Sequence, residues 1–289
     1  MNATGLVLGL VTIVIWGVTF VNTKALLADF NSFEILFTRF LLGYAALWLI
    51  GPRRLVVAGW REELRFAGMG LSGVAAYQFL ENLAISHTNA SNVSILVSVC
   101  PLGAALLSRL FLKERALTRR FCLGCVLAMG GVTLVCLGGI SEFHFRPLGD
   151  VLALCAMLCW SAYSVLITQT NGKGYGAVLA IRRTFFWALV FMLPFLPFSF
   201  DFDPSANAAR FAKGMNLLNL GFLGLLASAL AFALWNETCR RLGTVRATCG
   251  IYLIPAVTAI VAHVALGETM TATTGLGAAL TLIGVILCG

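Results

Sequence analysis

Four polar side chains stand together in an otherwise apolar stretch: Tyr77, Gln78, Glu81 and Asn82. Their spacing of i, i+1, i+4 and i+5 puts them on one face of one helix. A charge well inside hydrocarbon costs about 2.5–3.5 kcal/mol on the mildest insertion scale. Such a face must therefore turn toward other protein or toward water. A carboxylate there can meet an ammonium group, carry a proton, or pair with a buried cation. Arg39, in a neighbouring apolar stretch, is the partner the structural alternative would use.

Aromatic rings form a second group. Trp16 and Trp160 each lie about a dozen residues into an apolar run, away from the interfacial belt where Trp usually collects. Trp160, Tyr163 and Ser164 share one helix face, as do Thr12, Trp16, Thr19 and Thr23. Rings at mid-depth can wall an apolar side chain and offer cation–π contact to an ammonium; the structural alternative is that they fill volume. Small and polar residues at alternating steps of three and four make a third group: Ser91, Ser94, Ser98, Pro101, Ala105 and Ser108. The stripe Val245, Thr248, Tyr252, Pro255, Ala259 and Ala262 has the same spacing. Either stripe suits a water-filled path or close helix packing. Pro101 and Pro255 each remove a mid-helix hydrogen bond and favour a kink, which makes this pair of helices a candidate hinge. The expected site therefore comprises Trp16, Tyr77, Gln78, Glu81, Asn82, Ser98, Trp160, Tyr163 and Tyr252, with Pro101 and Pro255 as gating positions.

The elements that position these groups must be membrane helices. The chain has 289 residues, 60% hydrophobic and 11% charged, against about 25% charged in soluble domains. Ten stretches approach the roughly 20 apolar residues of a bilayer span: 4–26, 33–51, 64–86, 91–112, 121–139, 148–168, 176–198, 214–239, 245–266 and 272–289. The first lacks a basic leader and continues as a full span, so it reads as a retained helix rather than a signal peptide. The net charge of +8 does not imply nucleic acid, because it is sorted by loop. Alternate loops hold Arg53, Arg54, Arg61, Arg65, then Arg109, Lys113, Arg115, Arg119, Arg120, then Lys173, then Arg240, Arg241 and Arg246; the other loops hold only Lys24, Arg146, Arg210 and Lys213. Lys and Arg remain cytoplasmic, so both termini are expected there. Arg39, Arg182 and Arg183 lie within spans, where anchoring is the first reading and binding of a substrate carboxylate the sharper one. Glu237 has an i+4 partner in Arg241 and reads as an interfacial ion pair.

The chain also repeats itself. Leu123-Gly124, Leu127 and Gly131-Val132 recur as Leu276-Gly277, Leu280 and Gly284-Val285. Trp16 matches Trp160, Arg39 matches Arg183, Asn82 matches Asn236, Pro101 matches Pro255, and Glu114 matches Glu268. Residues 1–139 and 147–289 form the two halves, and the linker between them carries Glu142 and His144. The loop 199–213, with Asp201, Asp203 and Pro204, reads as a passive connection rather than a lid. A repeat with an odd number of spans is inverted in the membrane, the signature of a carrier with a central site. The expected fold is all-α: ten transmembrane helices as two inverted five-helix repeats around a central cavity.

In these motifs, taken in order and found twice, the chain resembles the drug/metabolite transporter superfamily and its ten-helix EamA-type branch of bacterial exporters, most of all those handling aromatic and neutral amino acids. The resemblance covers the whole chain. It implies a basket of helices 1–4 and 6–9 around the cavity, with helices 5 and 10 outside.

No P-loop, HExxH or Ser–His–Asp pattern is present, and no catalytic pair can be assembled, so no enzyme activity is expected. Cys122 and Cys125 form a CxxC without further ligands nearby in the chain, and structural zinc takes four; no metal and no cofactor are expected. The resulting reading is an inner-membrane exporter of small metabolites, foremost neutral or aromatic amino acids, acting as a monomer by alternating access. A carrier of nucleotide sugars, sugar phosphates or drug-like cations stays open, as do a membrane-embedded enzyme and a lipid-handling protein, in that order. The charge asymmetry makes a direct prediction. A fluorescent protein fused to the C-terminus should mature and glow, and alkaline phosphatase fused there should be inactive; active phosphatase would overturn the orientation.

Overall fold

The computed structural model describes residues 2–87, 93, 96–114, 117–137, 146–266 and 271–288. Among them every regular element is helical. The helices are α1 (Ala3–Leu26), α2 (Ser32–Ile50), α3 (60–87), α4 (Cys100–Leu112), α5 (Arg119–Leu137), α6 (Pro147–Asn171), α7 (Ala177–Ser199), α8 (Gly214–Leu242), α9 (244–266) and α10 (Ala272–Cys288). A short helix, Pro204–Ala212, lies between α7 and α8. Seven of the described helices, α1, α2 and α5 to α9, contain stretches long and apolar enough to cross a membrane, while α4 and α10 are shorter and apolar. α3 is polar at its start and again at Tyr77–Asn82. Ser91, Ser94, Glu142, His144 and Glu268 lie outside the described residues.

Successive helices run in opposite directions, which defines two ends. At the basic end Gly5 of α1 abuts Leu242 of α8, and Arg182 of α7 donates to the carbonyls of Gly51 and Arg53. Glu63 of α3 accepts from Arg183 there. At the other end Asn31, before α2, donates to Ser199 O at the end of α7. Exposed Leu, Val and Ile rows on α1, α5 and α10 make an apolar belt, as lipid contact requires.

The repeated Leu-Gly motifs explain how α5 and α10 pair. Lipid tails give apolar helices no hydrophobic reason to associate, so contact depends on backbones approaching closely. A Cβ added to Gly131 would sit 2.4 Å from Thr281 N and 2.6 Å from Gly277 O. One added to Gly284 would sit 2.3 Å from Ala128 N. The two copies thus interlock antiparallel, each supplying glycines to the other's backbone.

Both halves also break the α-helical pattern at equivalent places. α3 carries a π-helical segment at Leu71–Ala76 and α8 one at Phe222–Leu230. α4 starts afresh at Cys100, after a turn at Ser98–Val99. In α9 a 3-10 stretch, Gly250–Leu253, ends one residue before Ile254-Pro255. Each proline lacks the N–H that would continue the ladder and crowds the carbonyl four residues back, so the winding changes immediately before it.

Residues 199–213, read from the sequence as a passive connection, form a strap tied to the α1–α2 turn. Asn31 and Glu34 cap α2 reciprocally. The Glu34 carboxylate, 2% exposed, takes Arg210 at 3.3 Å and the Asp201 N–H at 3.1 Å. Arg210 also lies over the Phe30 ring, and Phe211 packs on Phe30 with centroids 5.1 Å apart. Asp29 accepts from Lys213 and Asn216. Those two hydrogen bonds, Lys213 first, hold its carboxyl below the ordinary value of 3.8.

Two predictions follow from this packing. Gly131→Ala should lower thermal stability in detergent by about 1–3 kcal/mol through overpacking, whereas Gly130→Ala, whose Cβ would meet only Leu280 at 3.8 Å, should leave it unchanged; equal behaviour would refute the backbone-contact account. Arg210→Ala leaves Glu34 buried without its cation, at a cost of about 3–5 kcal/mol. Proteolysis within 199–213 should then accelerate, and Glu34→Gln added to Arg210→Ala should restore part of the resistance. Because the Asp29 carboxyl is depressed, its support is present above pH 3.8 and lost as pH falls through its lower folded value. A strap equally resistant in the Arg210 variant would dismiss the latch.

Candidate functional site

The centre of the bundle is built from aromatic rings of both halves. Trp16 of α1 meets Trp160 of α6 edge-on at 5.8 Å between centroids, and meets Trp235 and Phe232 of α8 at 5.2 and 5.5 Å. Trp160 in turn contacts Tyr77 of α3 and Tyr163 of α6, both at 5.2 Å. Phe40 of α2 and Phe185 of α7 close the far side against Phe232, at 5.8 and 5.3 Å. These separations and tilts are those aromatic pairs prefer. Gly73, in the π segment of α3, makes room: a Cβ there would stand 2.4 Å from the Tyr163 ring.

Two buried donors of this cluster have no hydrogen-bond partner, Trp160 Nε1 and Tyr163 OH, and neither has Asn236 Nδ2, next to Trp235 in the chain. Trp16 Nε1, by contrast, donates to Ala227 O at 3.1 Å. An unpaired buried donor costs about 1–3 kcal/mol. Two of them among the rings are what a polar acceptor on a bound solute would satisfy.

The carboxylate lies one helical turn from the rings. Tyr77 OH donates to Glu81 Oε1 at 3.0 Å, so Tyr77 touches Trp160 with its ring and Glu81 with its hydroxyl. Arg39 stands within electrostatic range of Glu81, and its Nε donates to Ser228 Oγ at 3.0 Å. Helices α2, α3 and α8 are thereby linked through one polar line. Gln78 and Asn82 are half-buried on the same α3 segment.

Of the residues expected to line a cavity, Trp16, Tyr77, Trp160 and Tyr163 come together and Glu81 joins them through Tyr77. They meet ring to ring, so the space expected as a cavity is filled at this point. Tyr252 does not join: it is buried in a separate cluster with Cys125, Cys249 and Cys288. The stripe on α9 presumed 3.6 residues per turn throughout, and the 3-10 stretch at Gly250–Leu253 winds more tightly. Ser98 is buried in the turn before α4. Pro101 is buried and Pro255 half-buried at the two helix restarts. Phe232, Phe40 and Phe185 were not singled out from the sequence, since Phe on an apolar helix carries no signal of its own.

A recess of about 430 Å³ opens at the basic end between α2 and α7, lined by Tyr44, Trp48, Arg54, Leu55, Leu179, Arg182, Arg183 and Phe186. Two of its arginines are already engaged. Arg182 bonds two carbonyls and lies 3.8 Å over the Trp48 ring, and Arg183 Nε meets Glu63 Oε1 at 2.8 Å. Glu237, as expected, is held by Arg240 and Arg241.

The model of the EamA-like transporter family matches residues 3–137 and again 147–289. A transporter of Archaeoglobus fulgidus, itself uncharacterized, is 29% identical over 99% of this chain and 98% of its own length. A protein of Streptantibioticus cattleyicolor named "Probable terminal-alkyne amino-acid exporter" is 29% identical, over 96% of this chain and 90% of its own. One of Salmonella typhimurium named "Probable amino-acid metabolite efflux pump" is 25% identical, over 97% and 93%. A crystal structure of a protein 19% identical superposes with a TM-score of 0.79 over 99% of this chain and 96% of the other, which shows a shared fold. Matched in both halves, the chain belongs to the EamA-like transporter family: it is a multi-pass membrane transporter of small metabolites, built from two repeats, and not an enzyme.

Proposed function

We propose that this transporter exports neutral amino acids with aromatic or aliphatic side chains, by alternating access of a site at the Trp16–Trp160 cluster. The observation that carries the reading is the position of Tyr77, in contact with Trp160 and hydrogen-bonded to Glu81. It sets an apolar ring cage beside a carboxylate. A zwitterionic solute suits both: its side chain packs among the rings, and its ammonium meets Glu81 and the ring faces. Its carboxylate takes the unpaired donors of Trp160, Tyr163 and Asn236. Gln78, Asn82 and Ser98 extend the polar wall, and Tyr252 enters only if α9 rewinds. Two relatives bear amino-acid exporter or efflux names, which supports the same class. A phosphate-bearing solute fits less well, because Arg39, Arg182 and Arg183 are bound to Ser228, to carbonyls and to Glu63.

In this reading the protein spans the bacterial inner membrane ten times as a monomer, with the basic end and both termini cytoplasmic. The repeats are residues 1–139 and 147–289. Pro101 and Pro255 serve as hinges, since helices already interrupted there bend at little further cost.

Everted vesicles containing the protein should accumulate labelled phenylalanine or leucine above vesicles lacking it. Trp160→Ala and Glu81→Gln should each lower uptake about tenfold at equal abundance, the size of one lost contact of about 1.4 kcal/mol. Pro101→Ala with Pro255→Ala should slow flux more than it reduces abundance. Wild-type uptake by the Trp160 and Glu81 variants would reject the site, and no uptake of any neutral amino acid by the wild type would reject the substrate class.

A further inference from the structure

The nine cysteines are all free, and the sequence offered no metal site because Cys125 has no ligand partners nearby in the chain. The fold brings them from elsewhere. Cys125 of α5, Cys249 of α9 and Cys288 of α10 place their sulfurs within 4.8 Å of one another, all buried. Cys125 Sγ and Cys288 Sγ are 3.6 Å apart. In a trigonal or tetrahedral site with metal–sulfur bonds of about 2.3 Å, adjacent sulfurs stand about 3.8–4.0 Å apart. The three thiols are already close to that spacing.

A second observation points into the same place. Tyr252, three residues after Cys249 and 1% exposed, packs in this cluster. Its hydroxyl makes no hydrogen bond. The thiols themselves are held only weakly, Cys249 by Val245 O at 3.4 Å and Cys288 by Phe121 O at 3.6 Å. Packing alone would be served by any small apolar residue; it gives no reason for three sulfurs and an unpaired hydroxyl to converge from three helices.

We infer that Cys125, Cys249 and Cys288 form a binding site for one soft cation, Cu(I). Thiolate sulfur selects soft ions. Zinc asks for a fourth strong ligand, and the cluster among the described residues contains three. Thiolates rather than thiols ligate the ion, so each sulfur that binds Cu(I) releases its proton to water, and the unpaired Tyr252 hydroxyl in the same cluster can donate to a thiolate formed there. Bound there, the ion ties the first turns of α9, ahead of Pro255, to the α5–α10 pair. The site does not depend on which solute is carried.

The test uses the purified full-length protein in detergent, oxygen-free, with Cu(I) presented by a coloured competing chelator. The wild type should withdraw one copper per chain. Cys125→Ser, Cys249→Ser and Cys288→Ser should each weaken retention at least tenfold, while Cys122→Ser and Cys155→Ser retain it. X-ray absorption of the loaded protein should show sulfur alone around copper. Should a single variant fail to give monodisperse protein, Cys288→Ala, at the last turn of α10, provides the same comparison. No copper withdrawn by the wild type, undiminished binding by the triple serine variant, stronger retention of Zn(II) than of Cu(I), or a Cys125–Cys288 disulfide in protein kept oxygen-free would each overturn the inference.

Discussion

A carboxylate and a guanidinium in the middle of the bundle cannot face lipid, and much of this structure follows from where they turn instead. Glu81 and Arg39 lie on helices of one repeat, and both point at the seam with the other. Arg39 reaches Ser228 of α8, and Glu81 holds Tyr77 against Trp160 of α6. Removing an ion from water costs several kcal/mol unless hydrogen bonds and charge compensate. The seam supplies both, so the polar line fixes the rotation of α2 and α3 and presents their aromatic residues to the rings of α6 and α8. The ring cluster is thus placed by the groups that lipid excludes, and lipid itself covers the leftover Leu, Val and Ile of α1, α5 and α10.

The duplication determines how the remaining freedom is used. In α5 and α10 it yields a rigid element, because glycines at equivalent positions bring backbone onto backbone. In the helices around the rings it yields the opposite. The π segments of α3 and α8, and the restarts before Pro101 and Pro255, loosen the helices at matched depths. Irregular backbone at membrane depth persists only where protein or a water-lined space satisfies it. Its presence in these helices, and its absence from the described residues of α5 and α10, divides the molecule into a stiff outer pair and a deformable interior.

This division also explains what could be read in advance. Trp16 and Trp160 were legible as a pair because the repeat gives them equivalent positions, and Tyr77 and Glu81 because four polar residues on one apolar helix have nowhere else to go. The α5–α10 seam was legible in its Leu-Gly motif. Tyr252 was misplaced because its expected face assumed regular winding through a 3-10 stretch. The strap was invisible because Glu34 and Arg210 are separated by most of the chain, and an Arg in a polar loop has no preferred partner in sequence. Cys125, Cys249 and Cys288 were hidden for the same reason, since a ligand set drawn from three helices leaves no spacing to recognise.

The two ends of the bundle are closed by ties of unequal strength. At the strap end Glu34 is 2% exposed and its partner Arg210 17%, and the same carboxylate also caps α2 and accepts from the Asp201 N–H. Separating that pair strands a buried charge, which costs about 3–5 kcal/mol when nothing replaces the partner. At the basic end Glu62, 10% exposed, keeps Arg65 of its own helix when it parts from Lys173, 51% exposed, and Glu63, 20% exposed, keeps the Trp187 N–H when it parts from Arg183, 35% exposed. The cations there are solvated as they separate, and neither carboxylate is left without a partner. Opening toward the basic end therefore requires less from a bound solute than opening toward the strap. A solute seated among the rings would need to repay the larger cost on that far side, through the donors of Trp160, Tyr163 and Asn236 that the closed structure leaves unsatisfied.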